Sequence, residues 1–252
     1  MNNGSVLITG GRSPIALSIA ERLSLHTTVI LLTRDITTFP SSDYDNNANI
    51  LIRQLDLLQD SCRSNFNSLM IEFNITMLCF AHRLSPRGLT PQEKYVGEVI
   101  RTHELITELI ENRVQEEKRV VVLTSPASKS VVEDQDFFYH ANKSSLSALI
   151  RYFAVKYASK NFAINAVSPG SFVSKERSKQ YYKENPRLLE SITNTIPSRN
   201  FTSPGDIATY VEFLLAVAPM TLNGTELVID SGLTLIEQST FARNIDFIPD
   251  IN

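Results

Sequence analysis

The chain has 252 residues, a net charge of −3, 42% hydrophobic residues and 20% charged residues. This is the composition of a globular protein that keeps itself in water, long enough to bury most of its apolar surface in one core. The slight negative charge gives no basic footprint for nucleic acid, and no apolar run approaches the ~20 residues that span a bilayer, so neither nucleic acid nor membrane is expected as a partner.

In chain order, apolar runs predict strands at SVLIT from Ser5, TVILL from Thr28, ILIRQL from Ile50, ITMLCFA from Ile75, RVVVLTS from Arg119, FAINAV from Phe162 and ELVID from Glu226. Periodic stretches between most of them predict helices: IALSIAERLS from Ile15, CRSNFNSLMIEF from Cys62, VGEVIRTHELITELIENRV from Val96, a helix from Tyr139, and DIATYVEFLLAV from Asp206. Alternation of this kind implies a parallel sheet covered on both faces. Right-handed crossovers make it a doubly wound, Rossmann-type α/β fold, expected as a single domain over residues 1–235.

Two segments break the rhythm. Residues 35–49, DITTFPSSDYDNNAN, stand where a helix between the second and third strands is expected, and read as loop. The tail, residues 236–252, runs past the last strand; it reads as a disordered terminus or, through Phe241, Ile245, Phe247 and Ile248, as a segment that packs on a neighbouring subunit. The start, MNNGSVLITGG, lacks the charged region and apolar stretch of a signal peptide. Cys62 and Cys79 have no framework spacing, so a reduced, cytoplasmic setting is expected. His26, His82, His103 and His140 are scattered without metal-ligand spacing, and no metal is expected.

The most informative segment runs from Tyr139 to Gly170. Tyr139 and Lys143 are four residues apart and share one helix face. An ammonium beside a phenol favours the phenolate and lowers its pKa from about 10, which suits proton exchange near neutral pH. Tyr152 and Lys156 repeat the spacing. Tyr139 is the one that follows a strand-end serine, Ser125, by fourteen residues, and precedes Pro169 by thirty. Tyr152 lies among Leu146, Leu149 and Phe153 and reads as packing.

These marks, in this order, resemble the short-chain dehydrogenase/reductase family: Thr9-Gly10 after the first strand, Asp56 after the third, Ser125 at the end of the fifth, Tyr139 and Lys143 opening the next helix, then INAVSPG, the segment from Ile196 and LNGTELVIDSG from Leu222. The resemblance covers roughly residues 4–235. It implies a catalytic set in which Tyr139 is the general acid for carbonyl reduction, Lys143 lowers its pKa and holds the nicotinamide ribose, and Ser125 bonds the substrate oxygen, with Thr124 and Ser128 as alternatives for the serine. It implies a cofactor site at Thr9, Gly10, Arg12, Ser13, Ile15, Thr33, Arg34, Asp56, Leu57, Ala81, Tyr139, Lys143, Pro169, Gly170, Val173 and Ser174. It also implies a substrate lid at about 171–200, whose excess of basic residues suits an anionic or carrier-bound substrate as well as a plain solvated helix. The long helices near 95–115 and 140–158 would pair across a two-fold axis, giving a homodimer or homotetramer.

The glycine turn departs from the family pattern. It reads Thr9-Gly10-Gly11-Arg12-Ser13-Pro14-Ile15-Ala16, with Pro14 in the place of the second glycine and Ala16 in that of the third. Pro14 brings bulk and removes an N–H, yet serine followed by proline is a good helix start, whose remaining N–H groups and dipole can hold phosphate. Arg34 beside Thr33 at the end of the second strand points to the 2′-phosphate of NADP(H), with Arg12 as a second ligand. If Asp35 holds that position instead, NAD(H) is preferred. Phe80-Ala81-His82 replaces the family's Asn-Ala-Gly, and His82 reads as structural; Glu98, Val99 or Ile100 stands where the family has a helix asparagine. The expected activity is an NADP(H)-dependent oxidoreductase that interconverts the carbonyl and alcohol of a small or carrier-bound molecule. A dehydratase or isomerase on the same scaffold and a non-catalytic binding protein are the alternatives.

Overall fold

The computed structural model describes residues 4–39, 47–84, 88–170, 176–237 and 239. The strands are β1 (Ser5–Thr9), β2 (Val29–Thr33), β3 (Ile50–Gln54), β4 (Ile75–Phe80), β5 (Lys118–Leu123), β6 (Phe162–Pro169) and β7 (Glu226–Ile229). The helices are α1 (Pro14–Leu23), α2 (Cys62–Phe73), α3 (Pro91–Tyr95), α4 (Arg101–Asn112), α5 (Phe137–Tyr157), α6 (Glu176–Glu184), α7 (Pro186–Thr195) and α8 (Pro204–Glu212). All seven strands form one parallel sheet in the order β3-β2-β1-β4-β5-β6-β7.

The central strands read as unbroken apolar runs because both of their faces are buried. Period 2 sends successive side chains to opposite sides. Leu7, Leu78, Phe80, Val120 and Val122 pack with Phe66, Leu105, Ile106 and Phe153 of α2, α4 and α5. Val6, Ile8, Cys79, Val121 and Leu123 pack with Ile19, Ala20, Ile207 and Val211 of α1 and α8. Glu212 ties α8 to α1 through Arg22 and His26. The doubly wound sheet expected from the alternation is therefore present, as one domain.

Local chemistry sets the helix starts. Ser13 caps α1 by accepting the Ala16 N–H at 3.1 Å, with Pro14 in the first helical position. Asp136 caps α5 by accepting the Tyr139 N–H at 2.7 Å, so the helix begins two residues before Tyr139. In place of a helix between β2 and β3 there is a short 3-10 turn, Ile36–Thr38, capped by Asp35; residues 40–46 lie outside the described residues. The stretch from Val96 continues α3, and its first turn, Val96–Ile100, is a π-type widening ahead of α4. Residues 171–175 and 240–252 also lie outside the described residues, so Val173, Ser174, the start of the expected lid and the apolar residues of the tail have no structural account.

Candidate active site

The chain fills β1, β2 and β3 on one side of the sheet, then returns to lay β4 against the other side of β1. Loops leaving β1 and β4 must therefore part in opposite directions and open a crevice at the strands' carboxyl ends. A cleft of about 1270 Å³ lies there. Its lining brings together every described residue of the expected cofactor site and catalytic set: Thr9, Gly10, Arg12, Ser13, Ile15, Thr33, Arg34, Asp56, Leu57, Ala81, Ser125, Tyr139, Lys143, Pro169 and Gly170.

The glycine turn is shaped for close approach. Gly10 has φ +74°, and a Cβ there would lie 2.7 Å from the His82 Cα and 2.8 Å from the Ala81 carbonyl oxygen. A Cβ on Gly11 would meet the Leu32 carbonyl oxygen at 2.7 Å. Ser13 spends its hydroxyl on the Ala16 N–H, and Pro14 has none to give. The Ile15 N–H and the positive end of α1 are what this turn offers an anion. A cleft of this volume ending at this turn suits a dinucleotide with its diphosphate at the start of α1.

At the end of β2, Thr33 is buried and donates its hydroxyl to the Asp35 carbonyl at 3.1 Å. Asp35 Oδ1 accepts from both the hydroxyl and the N–H of Thr37, at 2.7 and 2.9 Å, and these bonds hold its carboxyl below the usual range; Arg12 and Arg34 add to the effect. One Asp35 oxygen is thus committed to capping, while Arg34 is exposed. At the end of β3, Asp56 accepts the Leu58 N–H at 3.0 Å. At the end of β6, Gly170 must be small: a Cβ would lie 2.5 Å from the Asp230 Cβ.

Across the cleft, Ser125 ends the fifth strand's run and caps a 3-10 turn, accepting the Ala127 N–H at 3.2 Å. Of its two alternatives, Thr124 is buried and donates to Glu226 Oε1 at 2.6 Å, and Ser128 is not part of the lining. Lys143 is buried, with Nζ donating to the Leu123 carbonyl at 3.0 Å. Burial pushes its pKa down to about 8; the Glu98 carboxylate opposes that shift and Arg83 adds to it. Tyr152 and Lys156 lie outside the cleft. Thirteen residues at about 100° each put Tyr152 about 140° around the helix from Tyr139. It is 49% exposed and accepts from Lys156 Nζ at 2.5 Å, so the second pair is a surface contact and not the packing its neighbours implied.

The two departures at β4 find structural roles. His82 Nε2 lies 3.2 Å from the Gly97 carbonyl, which can only accept, so Nε2 carries the proton and Nδ1 takes the Thr9 hydroxyl at 2.7 Å. Burial pushes this imidazole down to about 4. Where the helix asparagine was sought, Val99 is in the core, Ile100 is 38% exposed, and Glu98 is buried. Glu98 accepts from the Leu84 N–H at 2.8 Å and from the Asn142 side chain at 3.1 Å, one residue from Lys143. Sequence reasoning missed Arg83. Its guanidinium carbon stands 4.2 Å over the Tyr139 ring, and its Nη2 donates to Gln135 Oε1 at 2.6 Å. The available signal was its position, three residues after the end of β4, in a segment that borders the cleft.

Among the described residues no helix is long and apolar enough to cross a membrane, and no cluster of His, Cys, Asp or Glu could hold a metal ion. A family model described as Enoyl-(Acyl carrier protein) reductase matches residues 100–234. Among curated proteins, the chain is 25% identical over 139 residues to a Glucose 1-dehydrogenase of Gluconobacter oxydans, covering 55% of this chain and 50% of that protein. It is 27% identical over 117 residues to a rhamnolipids biosynthesis 3-oxoacyl-[acyl-carrier-protein] reductase of Pseudomonas aeruginosa, covering 46% and 45%. The match spans about half the length of these relatives. Among solved structures, the Pseudomonas aeruginosa RhlG/NADP active-site complex superposes with a TM-score of 0.78 at 20% identity, covering 92% of this chain and 97% of that one. A short chain dehydrogenase family protein from Francisella tularensis gives 0.74 at 19% identity, covering 92% and 99%. At these identities the structures speak for the fold alone.

Proposed function

The chain belongs to the short-chain dehydrogenase/reductase family, and on that premise we propose that it is an NADP(H)-dependent oxidoreductase interconverting a carbonyl and an alcohol. The observation that carries this reading is that Ser125, Tyr139 and Lys143 border the same cleft as the glycine turn. A bound nicotinamide would supply or accept the hydride. Tyr139 gives its phenolic proton to the carbonyl oxygen as charge develops there. Ser125 donates a hydrogen bond to the same oxygen. Lys143 steadies the phenolate; with burial holding its pKa near 8, its charge is present below that pH and declines above it, so reduction falls on the alkaline side.

The diphosphate is assigned to Gly10, Ser13, Ile15 and the start of α1, the adenosine to Thr33, Arg34, Asp56 and Leu57, and the nicotinamide end to Ala81, Lys143, Pro169 and Gly170. Val173 and Ser174 remain assigned there by family resemblance. The preference for NADP(H) rests on Arg34 at the end of β2, on Arg12 in the turn after β1, and on the commitment of one Asp35 oxygen to Thr37. Calorimetric titration with NADPH and NADH tests the proposal. We expect tighter NADPH binding, narrowed by about tenfold in Arg34→Ala, since a charge-assisted phosphate contact is lost. Equal affinities in the unmutated protein would refute the preference, and no binding of either would refute the cofactor assignment.

The proposal extends to a homodimer or homotetramer formed through α4 and α5. The outer face of α5 presents Tyr152 and Val155, the latter 84% exposed.

A further inference from the structure

We propose that Arg83 is a substrate-binding residue that selects carbonyl compounds carrying a carboxylate close to the reacting carbon. The inference rests on the reading that Tyr139 meets the substrate carbonyl. Arg83 is held in place from two directions. The Tyr139 ring lies beneath its guanidinium at 4.2 Å, and Gln135 Oε1 takes its Nη2 at 2.6 Å. Gln135 is itself oriented, because its Nε2 donates to Asp134 Oδ1 at 3.2 Å and so turns the amide oxygen toward Arg83. A guanidinium held over a phenol ring by cation–π attraction keeps N–H groups for other acceptors.

Arg83 lines the cleft, and among the described residues no carboxylate forms an ion pair with it. The neighbouring cation is Lys143, which is buried and bonded to the Leu123 carbonyl. Arg83 is therefore the exposed cation beside the phenol, with the Asp134 carboxylate bonded to Gln135 next to it. At 4.2 Å from the ring centroid, the guanidinium carbon stands within a few bond lengths of the Tyr139 hydroxyl. A molecule whose carbonyl oxygen meets that hydroxyl can reach the guanidinium with a second group only about two or three bonds away. A carboxylate there gains a charge-assisted, two-pronged contact. One guanidinium with an N–H already spent on Gln135 matches a monoanion better than a phosphate dianion. The substrate class is thus a 2- or 3-oxo acid.

Acetoacetate and ethyl acetoacetate form a matched pair that differs in this charge. Calorimetric titration of each into the protein, with and without NADP+, measures binding without turnover. Acetoacetate should bind about tenfold or more tightly than the ester. Arg83→Met should erase the difference by weakening only the acid, and Arg83→Lys should restore part of it. With NADPH, the same variants should raise KM for acetoacetate and narrow the kcat/KM preference for the acid over the ester. Equal binding of acid and ester, an unchanged preference in Arg83→Met, no binding of acetoacetate in any condition, or weaker NADP+ binding in Arg83→Met would each overturn the assignment. Tighter binding of dihydroxyacetone phosphate than of acetoacetate would overturn the choice of carboxylate. A charge preference without reduction by NADPH would refute the oxidoreductase reading and leave this one standing.

Discussion

Replacing His82 by glutamine should flatten the protein's sensitivity to acid. In the native state His82 is neutral, wedged between the Thr9 hydroxyl and the Gly97 carbonyl, with its pKa pushed down to about 4 by burial. In the unfolded chain an imidazole titrates near 6.5. Above about pH 6.5 neither state binds the proton, and below about 4 both do. Between them the unfolded state holds a proton that the native state lacks, so stability falls as pH falls. The linkage amounts to ~2 kcal/mol lost by pH 5 and ~3 kcal/mol by pH 4. At pH 7.5, His82→Gln should be the less stable protein by ~1–2 kcal/mol, since the ring's hydrogen bonds to Thr9 and Gly97 are disturbed. That gap should shrink by ~2 kcal/mol between pH 7.5 and 5, because only the parent pays the protonation cost. Urea denaturation of both proteins at pH 7.5, 6 and 5 gives the difference; groups that do not face His82 cancel between the two, and Glu98 and Lys143 are the charges that do face it. A gap that stays constant across this range would mean that His82 is not held neutral in the native state, and the tautomer and burial argument would fail.

Pro14→Gly should tighten NADPH by several-fold, since one regained N–H contributes ~0.5–1.5 kcal/mol, while lowering the thermal midpoint through added backbone freedom; calorimetry and a melting curve read the two effects, and binding by the variant but not by the parent would mark the turn as disabled. Tyr139→Phe should abolish carbonyl reduction with fold and cofactor affinity retained, whereas Tyr152→Phe should leave activity intact; steady-state assays that found the second variant dead would reverse the choice between the pairs. Light scattering at micromolar concentration should report a dimer or tetramer, and a monomer would count against pairing through α4 and α5.

The sheet was legible in the sequence because burial on both faces of a parallel strand leaves an unbroken apolar run, as in VVVL of β5 and ITMLCF of β4. The start of α1 was equally local, since a serine cap and a proline one residue later act within one turn. That Tyr139 and Lys143 share a helix face on the cleft followed from helix period, although α5 begins earlier, at the Asp136 cap. What the sequence could not contain is the meeting of residues distant along the chain. His82 finds Thr9 seventy-three positions away, Glu98 finds Asn142 at forty-four, and Arg83 finds Gln135 at fifty-two. No periodicity links such pairs; the crossovers do, by delivering the ends of β1, β4 and β5 to one edge of the sheet. The two Tyr-Lys pairs make the same point. Spacing alone could not separate them; the strand-end Ser125 favoured Tyr139, and the packing of α5 puts that residue, and not Tyr152, on the cleft.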